Sequence, residues 1–457
     1  MEATFLPYIG AFIWLSILLV LGTIIRAKVV FLQKMLVPAS LIGGILGFIF
    51  VQLGIIGLPT SNGWVEISTK SFSELTFHLF AFGFVGVGLM KTEKSNTSKV
   101  LIQGGLWMTI MYGFCQCLQA VIGFSFFEAW KLISGGDYNA VLGYLLGSGF
   151  AQGPGQAHAY GNIWETTYGV ANAMSVGLAA AALGFIFAVI IGVPLANYGI
   201  KKGWTHGKVE GALPADFLRG IMSANTNQPC AEFTTHPANV DSFGFHLSVM
   251  FVIYGLAYSF GLAWTLNTPQ GINGLGFGIL FTWSMCIAML VRMALTKTNL
   301  MHMINQQTIK RITNTSVDYM ICAVFLAISV SELQQVIVPL LCSATFAAFV
   351  TLWVILWYAR RGPEFNFERG LAIFGCYTGT VASGLLLLRI VDPDFKSPAA
   401  VELGIMNVMI LITCQPLLAG YAFLPAEGFP TLWIMFAYIV LSPIAMYLTR
   451  LVRKPTW

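Results

Sequence analysis

Charge is scarce in this chain. Lys, Arg, Asp and Glu make up 9% of its 457 residues, against roughly 25% in a soluble globular protein. That shortage excludes an ordinary water-soluble domain. The 24 basic and 19 acidic residues leave a net charge of +5 with no basic patch, so a nucleic-acid partner is excluded too. Cysteine is sparse and unpatterned. Cys115, Cys117, Cys286, Cys322, Cys342, Cys376 and Cys414 lie in apolar stretches and Cys230 in a polar one, with neither a disulfide framework nor zinc-ligand spacing. The sequence has no HExxH, no paired intramembrane aspartates and no serine/histidine arrangement at suitable depth, so it does not read as an enzyme, and nothing in it requires an organic cofactor.

Apolar residues are abundant. They form 57% of the chain, with a mean hydropathy of +0.76. They recur in runs of about 20 residues, the length of a spanning helix, and not in the short alternating segments of a transmembrane strand. The first run follows Met1-Glu2 with no basic n-region and no small-residue cleavage site, and reads as a mature span. Lys and Arg orient the spans by the positive-inside rule. Arg26, Lys28 and Lys34 put the far end of a span at about Leu6 to Ile25 inside, so the N-terminus is outside. Spans follow at about Leu36 to Gly54, Phe72 to Met90 (ending at Lys91, Lys94 and Lys99), Leu101 to Phe127, and Gly169 to Ala196 (ending at Lys201 and Lys202).

Residues 138–168 leave and return on the outer side, and about 30 residues are too few for two full spans. Gly147, Gly149, Gly153, Pro154 and Gly155 interrupt any helix there. Ser148, Gln152, Gln156, His158 and Asn162 are polar side chains that lipid does not accept. A re-entrant hairpin dipping from outside satisfies both facts. Residues 200–240, with Lys208 and Arg219, read as a cytoplasmic linker. Spans then follow at about Ser242 to Trp264, Leu275 to Leu295, Tyr319 to Val330, and Gln335 to Trp357. A second glycine-broken hairpin, 366–396, precedes a span at about Ala400 to Phe423, and a last span at about Leu432 to Leu448 ends at Arg450, Arg453 and Lys454, inside.

The expected fold is an all-α membrane protein of about eleven spans. It has two inverted-topology repeats of five spans each, 1–199 and 241–425, each with a re-entrant glycine-rich hairpin, and an additional C-terminal span and tail at 426–457. Inverted repeats with broken segments near the midplane are the pattern of a secondary transporter.

Pro38 with Gly43-Gly44, the paired glycine hairpins, and the run from Leu142 through Gly155 and Ala157 into the alanine-rich span at Ala171 to Gly184 resemble the bacterial sodium/glutamate symporters, to about residue 425. The resemblance implies glutamate uptake with sodium as coupling ion, a homodimer, and a transport domain moving on a static scaffold in the bacterial inner membrane. It also implies a Gly-Gly-x-Gly motif in each hairpin. Here Gln152-Gly153-Pro154-Gly155 and Thr378-Gly379-Thr380 with Ser383-Gly384 stand instead, which leaves the substrate open between glutamate and a related small carboxylate.

Helix N-termini at the hairpin tips supply N–H donors to a carboxylate. Gly153, Gly155, Gln156, His158, Thr380, Ser383, Gly384 and Arg389 are therefore the candidate substrate residues; close helix packing is the other use of such glycines, and the polar neighbours at both hairpins favour the site reading. Arg389 either forks onto a carboxylate, snorkels, or pairs with Asp392 and Asp394. Ser148, Gln152, Asn172, Thr378 and Asn407 are candidate sodium ligands, the two asparagines equally suited to interhelical hydrogen bonds. His158 is a proton relay or a local hydrogen-bonding group. Glu332 and Glu402 read as interfacial. A proton-coupled carrier and a passive channel or facilitator are the alternative functions.

Overall fold

The computed structural model describes residues 2–60, 63–90, 99–206, 215–223, 231–236, 238–269, 273–393, 396–426 and 431–455. The expectations resting on Lys91, Lys94, Lys208, Cys230 and Asp394 lie outside the described residues.

The first half opens with α1 (Glu2–Lys28), the short α2 (Val30–Lys34) and α3 (Ala39–Gln52). The third helix is shorter than expected because Leu36 (φ 50°) and the extended Pro38 hold its start out of the helix, and Gly54 (φ 67°) ends it. Its 14 residues reach only about 21 Å at 1.5 Å each. Next comes an antiparallel ribbon, β1 (Gly57–Thr60) and β2 (Gly63–Glu66), that the sequence did not announce. The Trp14 indole N–H donates to Gly57 O at 2.7 Å, tying the ribbon to α1. Then follow α4 (Thr69–Leu89), α5 (Lys99–Ser134), α6 (Leu145–Ala151), α7 (Pro154–Tyr168) and α8 (Ala173–Lys202). The fifth helix runs past the expected Phe127 through Glu128 and Lys131. Its 36 residues make about 54 Å of helix, more than a bilayer core, so it tilts or projects.

After α9 (Ala215–Arg219), the second half contains α10 (Ser242–Asn267), α11 (Leu275–Gly278), α12 (Leu280–Lys297), α13 (Gln306–Leu326), α14 (Val330–Leu333) and α15 (Ile337–Ala359). It continues with α16 (Asn366–Thr378), α17 (Val381–Val391), α18 (Ala399–Thr413), α19 (Gln415–Ala422) and α20 (Thr431–Leu448). The expected span from Tyr319 in fact begins at Gln306, where Asn305 Oδ1 accepts from Thr308 N at 2.9 Å as a cap. Its first turns carry Lys310, Arg311 and Asp318, so a search for apolar runs starts too late. The expected span from Ala400 is two helices, since Pro416 has no N–H to continue the ladder across Cys414.

Among the described residues, seven helices are long and apolar enough to cross a membrane: α1, α4, α5, α8, α10, α12 and α15. The other expected spans are short, polar at one end, or broken. α4 packs on α12 and α13, and α13 packs on α3 and α4, while α5 and α8 gather α6, α7, α15, α16, α17 and α18. α1 and α3 meet backbone to backbone, because Gly22 lies on Ala39 O and a Cβ at Gly43 would stand 2.6 Å from Leu18 O. Gly43→Leu is expected to separate these helices and cost about 1–3 kcal/mol or more of overpacking. The check is a lower melting temperature of the detergent-solubilised protein, and an unchanged one would count against this contact.

One expectation is corrected outright. Glu402 is not interfacial: it is fully buried and holds Arg369, also fully buried, with Nη2 to Oε1 at 2.5 Å and Nε to Oε2 at 2.6 Å. The two-pronged geometry satisfies both charges where water cannot. Gly104 of α5 leaves room for the carboxylate, since any Cβ there would collide with it.

Candidate functional site

Each half has a helix break, and the backbone explains both. α6 stops at Ala151, and the N–H groups of Gln152 and Gly153 both donate to Ser148 O at 3.1 Å. Gly153 then takes φ 88°, ψ −177°, a region open only to glycine. Pro154 follows with its φ already set for a first helical turn. The first intrahelical bond of α7 is Ala157 N to Gly153 O at 3.2 Å, so the N–H groups of Gly155 and Gln156 have no helix acceptor. In the second half α16 ends at Thr378, Gly379 and the extended Thr380 turn the chain, and the first bond of α17 is Gly384 N to Thr380 O at 3.0 Å.

α16 and α17 fold back on each other through their glycines. A Cβ at Gly375 would stand 2.9 Å from Gly384 Cα, and one at Gly384 would meet Ala372 O. All of α16 is buried, while α17 is only partly covered. The two breaks lie against each other, since a Cβ at Gly153 would be 3.1 Å from Thr380 Cγ2 and 3.6 Å from Gly379 O.

Beside this junction is a cavity of about 190 Å³, lined on its polar side by Gln152, Gln156, Thr380 and Asn407. Phe80, Phe84 and Phe281 form much of its apolar side, with ring centroids 5.0, 5.1 and 5.6 Å apart. Gln156 is 1% exposed. Its amide atoms, those of Gln152 and the Thr380 hydroxyl have no hydrogen-bond partner. Both amides approach the Tyr160 hydroxyl without forming a bond of ordinary geometry, and that hydroxyl donates instead to Leu418 O at 2.6 Å. Buried amides without a protein partner are costly, and ordered water or a polar ligand is what completes their bonding.

A second, larger cavity of about 960 Å³ lies beyond α7 and is lined by the segments that the charge pattern places outside. His158, Asn172, Glu74, Glu165 and Glu332 face it. Glu332, exposed in the first turn of α14, lines this cavity and accepts there from Ser175 Oγ. Phe77 lines the larger cavity and packs on His158 with centroids 5.3 Å apart, whereas Phe80, one turn along α4, lines the smaller.

The expected substrate residues are therefore distributed. Gln156 and Thr380 join the small cavity and Gly153 lies against Thr380, while Gly155 carries the Phe80 ring where its Cβ would be. His158 belongs to the large cavity. Ser383 and Gly384 lie on the α16–α17 seam, and Arg389 is exposed in the last turn of α17, lining neither cavity. The expected sodium ligands do not form one shell. Gln152 and Asn407 line the small cavity and Asn172 the large one, while the hydroxyls of Ser148 and Thr378 donate to Leu145 O (3.0 Å) and Phe374 O (2.8 Å). Sequence reasoning missed Phe80, Phe84, Phe281, Tyr112 and Thr313, which line the small cavity from ordinary-looking spans.

A family model described as sodium/glutamate symporter matches residues 6–366. Curated relatives called sodium/glutamate symporter in Escherichia coli (strain K12) and Shigella flexneri are each 26% identical over 202 residues, which is 44% of this chain and 46% of the relative. The match thus spans about half the length of the curated relatives. With the seven long apolar helices, these findings describe a multi-pass membrane protein of a transporter family and not an enzyme. By the family match across residues 6–366, the chain belongs to the sodium/glutamate symporter family.

Proposed function

We propose that the protein takes up glutamate or a related small carboxylate, driven by sodium, by an alternating-access mechanism of the elevator type. The observation that carries this reading is the small cavity at the junction of two helix N-termini, those of α7 and α17, with unpartnered amides on its wall. Such termini place N–H donors and partial positive charge on an anion. An inverted repeat is supported by the exchange of partners across the fold: the third span of each half, α4 and α13, packs on the second span of the other, α12 and α3. A homodimer in the bacterial inner membrane, with a transport domain moving on a static scaffold, is what the family resemblance implies.

Purified protein in liposomes is expected to accumulate labelled carboxylate only under an inward sodium gradient. Accumulation that ignores sodium, or that fails for every small carboxylate, would sink the reading. A proton-coupled carrier is the second reading, because His158 Nδ1 lacks a partner at the edge of the large cavity. It is distinguished by accumulation under an inward proton gradient with sodium replaced by choline. A channel is separated from both by counterflow, which an open pore does not support.

A further inference from the structure

The two cavities are neighbours. Along α4 the lining changes from one to the other within a single turn, Phe77 facing the large cavity and Phe80 the small one, a rise of only about 4.5 Å. The same change falls between His158 and Gln156 on α7. It falls again between Gly278, which ends α11, and Phe281 in the first turn of α12. Ring contacts put these three changes at one level, since Phe77 packs on His158 at 5.3 Å and Phe80 on Phe281 at 5.6 Å. A single layer of side chains separates the two spaces.

The centre of that layer is Phe80. A Cβ at Gly155 would lie 2.1 Å from Phe80 Cγ, so the ring rests directly on the first turn of α7. Glycine at 155 thus gives a ring from α4 its seat beside the helix break. Phe281, itself buried, backs the ring, while Phe80 is only half-buried, as suits a side chain set between two spaces. The two sides of the layer differ in character. Lys70, Glu74, Glu165 and Glu332 line the large cavity, whereas none of the described residues lining the small one is Asp, Glu, Lys or Arg. Hydrocarbon between a charged vestibule and a polar pocket stops water and solutes, because an apolar constriction of this width does not wet.

We propose that Phe80, seated on Gly155 and backed by Phe281, is the outer gate of the small cavity, with the large cavity as the vestibule from which solutes reach it. The proposal takes its purpose from the transport reading, but the gate is measured without transport. Cys376 is a free thiol in the wall of the small cavity and serves as the reporter. Spheroplasts of bacteria producing the full chain are treated, without sodium, with a small membrane-impermeant methanethiosulfonate, and modification of Cys376 is followed by mass spectrometry. Phe80→Ala removes the ring and is expected to raise the rate at Cys376 at least about tenfold over the unaltered protein. Phe281→Ala is expected to act in the same direction and replaces the first variant should that one not fold. Asn162→Cys, in the wall of the large cavity, is expected to react in either background. Equal rates at Cys376 in the unaltered protein and a folded variant overturn the gate. An unreactive Asn162→Cys thiol overturns it as well, because the large cavity would then not open to the outside. Faster modification in the variants, alongside an unaltered protein that shows no sodium-driven uptake, would overturn the transport reading and leave the gate standing.

Discussion

Gly153→Val is expected to abolish transport while leaving the protein in the membrane. Two effects act at this one residue. Its φ of 88° and ψ of −177° cost a β-branched residue about 1–3 kcal/mol or more. The new Cβ would also press on Thr380 Cγ2 at 3.1 Å, and the two further methyls of valine have less room still. The break cannot relax without moving the N-terminus of α7 away from that of α17, so the donors no longer converge on one cavity. Misplacement by about 1 Å costs on the order of a hundredfold in a reaction that depends on positioning, and a loss of at least that size is expected in the initial uptake rate. Gel filtration in detergent serves as the control for folding. Normal uptake by a well-folded Gly153→Val protein would show that the junction of the two breaks is not where substrate binds.

Glu402→Ala is expected to have the largest effect on stability. It strips the carboxylate partner from Arg369, which is wholly buried and, among the described residues, keeps the carbonyl of Glu364. An uncompensated buried charge costs about 3–5 kcal/mol, enough to reduce folded protein sharply given typical margins of about 5–15 kcal/mol. The pair joins α16, the buried arm of the second hairpin, to α18, which also carries Asn407. Removing both charges together, as Arg369→Met with Glu402→Leu, is expected to restore most of the yield, because paired burial contributes little net stability beyond what apolar packing supplies. Yield and melting temperature of the single and double variants decide the matter. A double variant no better than Glu402→Ala would mean that the pair contributes more than mutual neutralisation.

The breaks were legible in the sequence because they are local. Gly153-Pro154 and Gly379-Thr380 limit φ, ψ or hydrogen bonding within a few residues, and polar side chains around them at apolar depth imply enclosure. Span limits fared less well wherever a neighbour decided them. α13 extends through charged turns that cap and packing sustain, and α5 outruns its apolar stretch.

What the sequence determined by itself was a helical, multi-span membrane protein with two glycine-broken segments, since composition, hydropathy and backbone preference act without knowledge of the rest of the chain. Only the tertiary structure decided which side chains share a site. It brought Gln152, Gln156, Thr380 and Asn407 together with Phe80, Phe84 and Phe281, sent His158 and Asn172 to another cavity, and left Arg389 at the surface. It likewise joined Arg369 to Glu402 across 33 residues. Such partnerships depend on helix rotation and packing over long separations, and no local property of Glu402 distinguishes a buried, paired carboxylate from one at the membrane surface.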